Sequence, residues 1–282
     1  MAKYFIISTA ALLAAASSQA SAQTVGVNAA VVNDVRMTTQ ANPAVHKAVV
    51  KERVSLGNDI VTGRASVLQV LLLDHTSFTV GGNARIKVDR FVYDPSRNAS
   101  SVGLSVAKGA FRFISGKPLH ANPGQSAIRT PIVSIGIRGT IVEGAIGEDA
   151  IRIARSEREI PQGFTADPEN ASLIFLRGPG AAAQGGEQPG AIDVTAGAIT
   201  ISVTGSGNAM FAPGLGQPLI GPFVLSGSGS AALSELLRKP RSDGAPFSAS
   251  PLAQNPVVDL FFQAGEAYDQ GPGSTTDPIQ GP

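Results

Sequence analysis

Apolar and polar residues alternate along several short stretches in the first 160 residues of the chain. The clearest stretches are Ala84–Asp89, Phe111–Phe113, Val133–Arg138 and Ile151–Ile153. A period of two places apolar side chains on one face of an extended backbone and polar side chains on the other, so each stretch is predicted to be a β-strand. Val67–Leu73 is nearly all apolar, which predicts a strand covered on both faces.

Turn-forming residues separate the predicted strands. They lie at Gly57–Asp59, Gly81–Asn83, Asp94–Ser96, Ser115–Pro118 and Asn122–Gly124. Strands and turns recur about every 8–15 residues, a spacing typical of all-β domains. The pattern therefore predicts an all-β fold of stacked short strands, arranged as a sandwich or as a solenoid-like stack. No clean internal repeat selects one of the two.

Residues 161–282 are rich in glycine and proline and are predicted to be partly irregular. One strand pair is predicted within Ala191–Thr204. Short helices are predicted at Ala232–Arg238 and Val257–Tyr268, and Gly271–Pro282 is predicted to be a disordered tail.

The N-terminal segment has the three parts of a secretory signal peptide. Lys3 supplies a positive charge, Tyr4–Ala16 forms an apolar run, and Ala20–Ala22 has the small side chains of a cleavage site. We predict cleavage after Ala22, because an uncleaved anchor needs an apolar run of about 20 residues. The expectation is a periplasmic or exported protein whose mature chain contains no transmembrane segment.

Charge changes sign near Pro161. Residues 23–160 carry 17 Lys and Arg against 11 Asp and Glu, a net charge of +6, whereas residues 161–282 carry 4 against 10, a net charge of −6. We therefore predict a signal peptide at 1–22, a β domain at 23–160 and a separate C-terminal region at 161–282. The opposite charges favour docking of the two parts on each other.

The composition excludes several kinds of chemistry. The 282-residue chain has no cysteine, so it forms neither disulfides nor thiolate metal sites. Its three histidines, His46, His75 and His120, have no partner at metal-ligand spacing, and no nucleophile or phosphate-loop signature is present. Arginines are scattered one per strand, which argues against nucleic-acid binding. We expect a protein that is not an enzyme and that binds no cofactor, metal or nucleic acid.

Three acidic residues, Glu143, Glu148 and Asp149, lie close together in the sequence. Paired carboxylates can perform acid–base chemistry, but solvated surface carboxylates are much more common. We predict a solvated turn between two strands for this segment.

Several segments in sequence order carry a recognisable pattern. They are Leu56–Gly63 (LGNDIVTG), Ser66–Val80 (SVLQVLLLDHTSFTV), Arg90–Pro95 (RFVYDP), Lys108–Gly116 (KGAFRFISG) and Ile128–Thr140 (IRTPIVSIGIRGT). Together they resemble the FecR domain, with a core at about residues 45–145.

The first segment is similar to that family's L-x-x-G-D-x-I-x-T-G, and the last is similar to its closing x-T-P-x-A-x-x-x-V-R-G-T. Two positions depart from the family pattern. Asn58 is inserted between Gly57 and Asp59, and His75 stands where the family has a turn glycine.

The resemblance implies an all-β domain that works outside the cytoplasm. The founding members of the family are iron-transport regulators, which join a cytoplasmic anti-sigma segment and one membrane span to this periplasmic domain. Because the predicted signal peptide stands where those parts would be, the transmembrane role is not carried over. The expectation is a stand-alone exported form.

The family motif supplies ten candidate site residues, which we predict to be architectural rather than part of a partner-facing edge. They are Gly57, Asp59, Thr62, Gly63, Asp74, Thr130, Pro131, Arg138, Gly139 and Thr140. Thr130 and Pro131 are predicted to start a strand. Arg138 is predicted to pair with Asp59 or Asp74.

The leading functional hypothesis is a protein-interaction or scaffolding module, which presents a β-sheet edge or face to another envelope protein. The alternative is a ligand- or glycan-binding sensor linked to signalling or iron uptake, using loops such as Asp94–Ser101. Aromatic residues make up only 5% of the chain, which argues mildly against sugar binding.

Overall fold

The computed structural model describes residues 23–39, 43–121, 124–179 and 190–238. The predicted signal peptide, the predicted helix at Val257–Tyr268 and the predicted tail at Gly271–Pro282 lie outside these residues. Within them, no helix is both long enough and apolar enough to cross a membrane.

Nine strands fill the first half of the fold. They are β1 (Thr24–Val32), β2 (Val35–Thr38), β3 (His46–Lys47), β4 (Arg53–Ser55), β5 (Asp59–Thr62), β6 (Val67–Leu72), β7 (Ser77–Val80), β8 (Arg85–Asp94) and β9 (Ala99–Ile114).

Eight further strands and three short helices follow. They are α1 (Lys117–Ala121), β10 (Ser126–Arg129), β11 (Ser134–Arg138), β12 (Ile141–Ile146), α2 (Glu148–Ala154), β13 (Ser172–Gly178), β14 (Ala191–Ala196), β15 (Ile199–Val203), β16 (Asn208–Ala212), β17 (Ile220–Val224) and α3 (Gly227–Leu236).

The strands form two hydrogen-bonded sheets that share β9. Sheet A has the order β4-β1-β6-β7-β9-β12-β13-β16-β17. Sheet B has the order β3-β2-β5-β8-β9-β10-β11-β14-β15. Every pairing is antiparallel except that of β9 with β10. The all-β prediction is confirmed, and the antiparallel pairing indicates an open sandwich, because a solenoid stacks its strands in parallel.

The main hydrophobic core lies between the two sheets. Sheet A contributes Phe78 and Phe113 to it, and sheet B contributes Ile60, Ile86 and Leu104, all of them almost completely buried. The alternation that predicted β8 and β11 arises because the other face of sheet B carries polar side chains. The alternation at Phe111–Phe113 belongs to the sheet A part of β9, where Arg112 points away from the main core and pairs with Glu143.

A second apolar layer covers the other face of sheet A, where α2 and α3 pack against β12, β13 and β16. Leu173 and Phe175 of β13 face this layer, whereas Ile174 and Leu176 face the main core. β13 is therefore covered on both faces. The strand predicted at Val67–Leu73 is confirmed as β6, but its second face, with Gln69 and Leu71, is only half-buried, and Leu73 lies beyond its end.

Helix α2 corrects a second prediction, because Ile151–Ile153 is helical and not extended. Ala150, Ile151, Ile153 and Ala154 are buried against the second layer, whereas Glu148, Arg152 and Arg155 are exposed at the spacing of a helix face. The three residues Ile151–Ile153 are too short a window to show this period. The acidic first turn, Glu148–Asp149, was a second available signal, because acidic residues are favourable at a helix N-terminus.

Both sheets continue beyond residue 160. The predicted strand pair at Ala191–Thr204 is confirmed as β14 and β15, which extend sheet B beyond β11. The helix predicted at Ala232–Arg238 is present as α3, which starts earlier, at Gly227, because Ser226 caps it by accepting the N–H of Gly229 at 3.0 Å. That residues 23–160 form a domain of their own stays a prediction.

The shared strand β9 passes from sheet B to sheet A at Gly109. Residues up to Lys108 pair with β8, and residues from Gly109 onward pair with β12. Gly109 has a φ of 85°, and a Cβ atom at this position would lie 2.4 Å from the Cβ atom of Ala84. A side chain is therefore excluded here by both backbone conformation and space.

Substitution of Gly109 by alanine is expected to destabilise the fold strongly. A left-handed conformation costs a non-glycine residue about 1–2 kcal/mol, and the clash with Ala84 adds about 1–3 kcal/mol. Gly207 is the matched control, because it has the same φ of 85° and a Cβ atom added there would meet nothing within 4 Å. Urea denaturation should show a larger loss of unfolding free energy for Gly109→Ala than for Gly207→Ala, and equal losses would contradict the assignment.

Candidate functional site

Asp74 organises a buried turn between β6 and β7. Its carboxylate accepts hydrogen bonds from the Thr76 N–H and hydroxyl, each at 2.9 Å, and from the Ser100 hydroxyl at 2.5 Å. Thr76 Oγ1 also accepts the N–H of Gly116 at 3.1 Å. His75, at the position of the expected turn glycine, is exposed and has a φ of 64°. The turn thus connects β6, β7 and both ends of β9.

The β4–β5 turn uses the first motif segment. The N–H of Gly57 donates to the Val88 carbonyl at 2.8 Å, and the inserted Asn58 is completely buried. Asp59 forms an ion pair with Arg85 across β5 and β8, with 2.5 Å between Oδ2 and Nη2. This exposed pair holds two neighbouring strands of sheet B in register.

Thr62 and Gly63 connect β5 to two turns. The Thr62 hydroxyl donates to the Gly81 carbonyl at 2.6 Å and accepts the N–H of Ala84 at 2.9 Å. The N–H of Gly63 donates to the Asp34 carbonyl at 2.8 Å. These bonds close the β7–β8 and β1–β2 turns against the end of β5.

Thr130 and Pro131 lie in the turn between β10 and β11, so the prediction that they start a strand is wrong. The Thr130 N–H donates to the Val133 carbonyl at 2.8 Å, and Thr130 Oγ1 accepts the Val133 N–H at 3.1 Å. These reciprocal bonds close the turn, which leaves Pro131 exposed.

Arg138 pairs with neither Asp59 nor Asp74. Its Nη2 donates to Asp193 Oδ1 at 3.0 Å and to the Ser202 hydroxyl at 2.8 Å. The partners lie on β14 and β15, in the part of the chain that was predicted to be separate. Arg138 therefore connects the closing motif to the last strands of sheet B.

Gly139 and Thr140 form the link from β11 to β12. Gly139 lies close to His120 of α1. Thr140 is buried, its hydroxyl donates to the Pro179 carbonyl at 2.8 Å, and its N–H donates to the Ser115 hydroxyl at 3.2 Å. The ten motif residues are thus spread over separate turns and strand ends and do not converge on one cleft. Their architectural role stays a prediction.

Glu143 is the carboxylate that sequence reasoning misplaced. It is completely buried in β12, so the prediction of a solvated turn is wrong for this residue. Arg112 Nε and Arg177 Nε each lie 2.6 Å from Glu143 Oε1, and Arg177 Nη2 donates to the Ser234 hydroxyl at 2.6 Å. Glu143 thereby joins β9, β12 and β13 and connects them to α3.

Glu157 is a second buried carboxylate, and sequence reasoning missed it. Its two oxygens accept the Ser226 N–H at 2.9 Å and the Ser226 hydroxyl at 2.7 Å. A negative charge at the start of α3 is favourable because the helix N-terminus carries a partial positive charge. The partner lies 69 residues away in the sequence, so no local pattern could have found it.

Among the described residues, no group of three or more His, Asp or Glu side chains is arranged to hold a metal ion. A polar cleft of about 600 Å³ lies beside the crossing point of β9, with Lys108, Glu148 and Glu169 in its walls. Glu148 is exposed and belongs to α2, whereas Glu143 lies in the sheet.

His46 forms a close pair with Glu52 near the β3 end of sheet B. The distance between His46 Nε2 and Glu52 Oε1 is 2.5 Å, and Glu52 Oε2 accepts the Val49 N–H at 2.9 Å. The hydrogen bond to Glu52 raises the pKa of His46 above its usual value.

Four strands end the two sheets within the described ranges, and three of them are protected. β3 and β4 have two and three residues and carry Lys47 and Arg53. β17 contains Pro222, and its register with β16 shifts. Short length, charge, proline and irregular register all hinder pairing with a further strand. β15, Ile199–Val203, has five residues, no charge, no proline and an even register with β14.

The hairpin geometry places backbone groups of β15 on its free side. The turn between β14 and β15 has two residues and starts with Gly197, whose φ is 58°. In such a hairpin the residues that flank the turn bond to each other, so the N–H of Thr200 points away from β14. Ile199 is 57% exposed. The unpaired backbone N–H of Thr200 and the exposed apolar side chain of Ile199 therefore lie next to each other on the edge of sheet B.

A family model described as FecR protein matches residues 58–157. These residues are a FecR domain. The match confirms the resemblance and extends the core past the predicted end at about residue 145, through α2 to the buried Glu157.

Two solved structures are similar to this chain, and both are of a provisionally described anti-sigma factor from Parabacteroides distasonis. Each is 10% identical; the matches cover 57% and 75% of this chain, with TM-scores of 0.35 and 0.38. The chain spans the same shares, 57% and 75%, of those two proteins. No curated protein matches it.

Replacing Glu143 in the FecR domain by glutamine is expected to lower the unfolding free energy by about 3 kcal/mol, because two guanidinium groups lose their buried counter-charge. Ser234→Ala, which removes one hydrogen bond to Arg177, is expected to cost about 1 kcal/mol. Glu148→Gln is the control, since exposed Glu148 has no such partners and its change should stay within about 0.5 kcal/mol. Chemical denaturation measures all three, and a Glu143→Gln loss no larger than that of the control would contradict the structural role of the ion pairs of Glu143 with Arg112 and Arg177.

The His46–Glu52 pair is expected to make stability depend on pH. Because the folded pKa of His46 lies above the unfolded value, the contribution is fully present below about pH 6.5 and is lost as the pH rises through the folded pKa. Glu52→Gln should therefore reduce the melting temperature more near pH 6 than near pH 9. In a His46→Gln background this difference should disappear. Equal losses at both pH values would exclude the pairing.

Proposed function

We propose that this chain is an exported envelope protein whose FecR domain, completed by β13–β17, binds another envelope protein in a signalling-related role. The observation that carries the proposal is the unprotected edge of β15. Export rests on the signal-peptide pattern of residues 1–22. A binding role without catalysis is part of the proposal.

Strand addition at β15 gives the proposal a physical mechanism. An extended partner segment would accept the N–H of Thr200 and continue sheet B by one strand. Its side chains would alternate, with apolar residues beside Ile199 and Ile201 and polar residues beside Thr200 and Ser202. The partner strand would also cover the exposed part of Ile199.

The alternative sensor function has less support at the loop it would use. In the β8–β9 turn, Asp94 accepts bonds from the Ser96 hydroxyl at 2.6 Å and from the N–H groups of Ser96 and Arg97. The Ser96 hydroxyl and these N–H groups lower the pKa of Asp94. The hydrogen bonds of the Asp94 carboxylate are thus made within its own turn, which leaves it less able to bind a ligand.

Thr200→Pro is expected to weaken partner binding by about tenfold or more, because proline removes the edge donor and blocks close approach of a strand. The fold should survive, since proline is tolerated at an edge position whose N–H faces outward. Thr200→Val is the matched control: it loses the same 2.9 Å contact with the Thr195 hydroxyl but keeps the backbone N–H.

The measurement is a pull-down from the envelope fraction of the producing cell. A protein retained by the wild-type chain and by Thr200→Val, but not by Thr200→Pro, supports strand addition. Retention of glycan without protein would favour the sensor, and equal retention of a protein by both variants would place its binding elsewhere.

A further inference from the structure

A line of basic side chains crosses the outer face of sheet B. In five adjacent strands, the residues directly opposite one another in register are Lys47, Arg36, Val61, Arg85 and Lys108. All are exposed. We name these five residues the basic row. Adjacent strands lie about 4.8 Å apart, so the row is about 19 Å long.

The basic row contains two like-charge pairs directly opposite each other, Arg36 with Lys47 and Arg85 with Lys108. Like charges at such positions destabilise a sheet. Asp34 and Asp59 pair with the two arginines. Lys47, Lys108 and the neighbouring Lys87 form no ion pair with any described residue, although Lys108 also lines the cleft that contains Glu148 and Glu169. The face therefore keeps an excess of positive charge that a negative partner would relieve.

The C-terminal segment of the same chain has the complementary composition. Residues 242–282 contain five carboxylates and no lysine or arginine. The carboxylates are Asp243, Asp259, Glu266, Asp269 and Asp277. The segment also contains Phe261 and Phe262, and the middle of the basic row offers Val61, which is 43% exposed.

The C-terminal end of the described chain, just after α3, lies beside one end of the basic row, and residues 242–282 follow from this exit point. The carbonyl of Leu236, the last residue of α3, lies so close to Gly81 that a Cβ atom there would be 2.3 Å away. Gly81 donates its N–H to the Ala110 carbonyl at 2.9 Å. Arg85 follows Gly81 by four residues and Lys108 precedes Ala110 by two, so both lie within about 15 Å of this exit along their strands.

We propose that residues 242–282 bind the basic row of the same molecule and cover this face of sheet B. A segment of this size reaches far beyond the required distance, because an extended chain spans about 3.3 Å per residue. The contact is electrostatic, with an apolar centre at Val61. The proposal is independent of strand addition at β15, which lies at the opposite edge of the sheet.

Paramagnetic relaxation enhancement tests the proposal in the full chain. Because the chain has no cysteine, Ala264→Cys provides a single site for a nitroxide label. Amide peaks of Arg36, Val61 and Arg85 are expected to lose intensity, whereas those of β16 and β17 should keep it. Raising the salt concentration to about 1 M, where the Debye length is about 3 Å, should restore the lost peaks.

Charge reversal tests whether the contact depends on the charges at the basic row or on positive charge anywhere on the surface. The variant Lys47→Glu, Lys87→Glu, Lys108→Glu should restore the lost intensities without unfolding, because these exposed side chains form no ion pair within the described ranges. The matched control, Arg53→Glu, Lys117→Glu, Arg158→Glu, reverses three exposed charges elsewhere and should leave the effect unchanged.

Three results would overturn the proposal. The first is that the spin-labelled Ala264→Cys chain, with the basic row unchanged, shows no intensity loss at the row. The second is an intensity loss that persists after the charges of Lys47, Lys87 and Lys108 are reversed. The third is an intensity loss that appears when ¹⁵N-labelled chain without cysteine is mixed with spin-labelled chain that carries no ¹⁵N. The last result would assign the contact to a second copy. None of these measurements depends on a partner protein bound at β15. The proposed strand addition at β15 can therefore be disproved while the proposed contact of residues 242–282 is confirmed, and the reverse.

Discussion

The two sheets are held together by the one strand that belongs to both. β9 pairs with β7 and β12 in sheet A and with β8 and β10 in sheet B, so neither sheet can slide over the other without breaking its central pairings. The crossing at Gly109 depends on a conformation and a close approach that only glycine allows. The same crossing places Lys108 on the outer face of sheet B and Ala110 beside Gly81, where α3 ends.

Buried carboxylates supply the second level of organisation. Asp74, Glu143 and Glu157 are almost fully buried, and each accepts at least two hydrogen bonds, at least one of them from a residue more than 20 positions away in the sequence. A buried charge is tolerated only when its partners are in place, so each carboxylate strongly favours one arrangement of those elements. Glu143 and Glu157 both act on α3, which explains how a short helix near the end of the described chain stays attached to the sheet.

Local patterns in the sequence predicted the strands whose two faces differ. β8, β11 and the β14–β15 hairpin were predictable because one face of sheet B meets solvent, and the turn residues between strands were equally visible. Contacts between distant residues were not predictable. Glu143 meets its arginines 31 and 34 residues away, and Arg138 meets Asp193 55 residues away. No spacing rule reaches that far, so the sequence indicated a solvated carboxylate and the wrong partner for Arg138. Helix α2 was missed because the short stretch Ile151–Ile153 alternates as a strand does, and the helical spacing is visible only over a longer window that includes Glu148 and Arg155.

The outer faces of the two sheets are covered unequally. Helices α2 and α3 cover the outer face of sheet A over β12, β13 and β16, whereas no described element covers the outer face of sheet B. Sheet B also ends in β15. Among the described edge strands, β15 is the one that is neither very short nor protected by a charged residue or a proline. Arg85 has an opposite charge on one side, Asp59 of β5, but on the other side it lies opposite Lys108 of β9, and like charges at such positions lower the stability of a sheet. Both features lie on sheet B, and each of the two contacts that we propose, strand addition at β15 and binding of residues 242–282 to the basic row, would cover one of them.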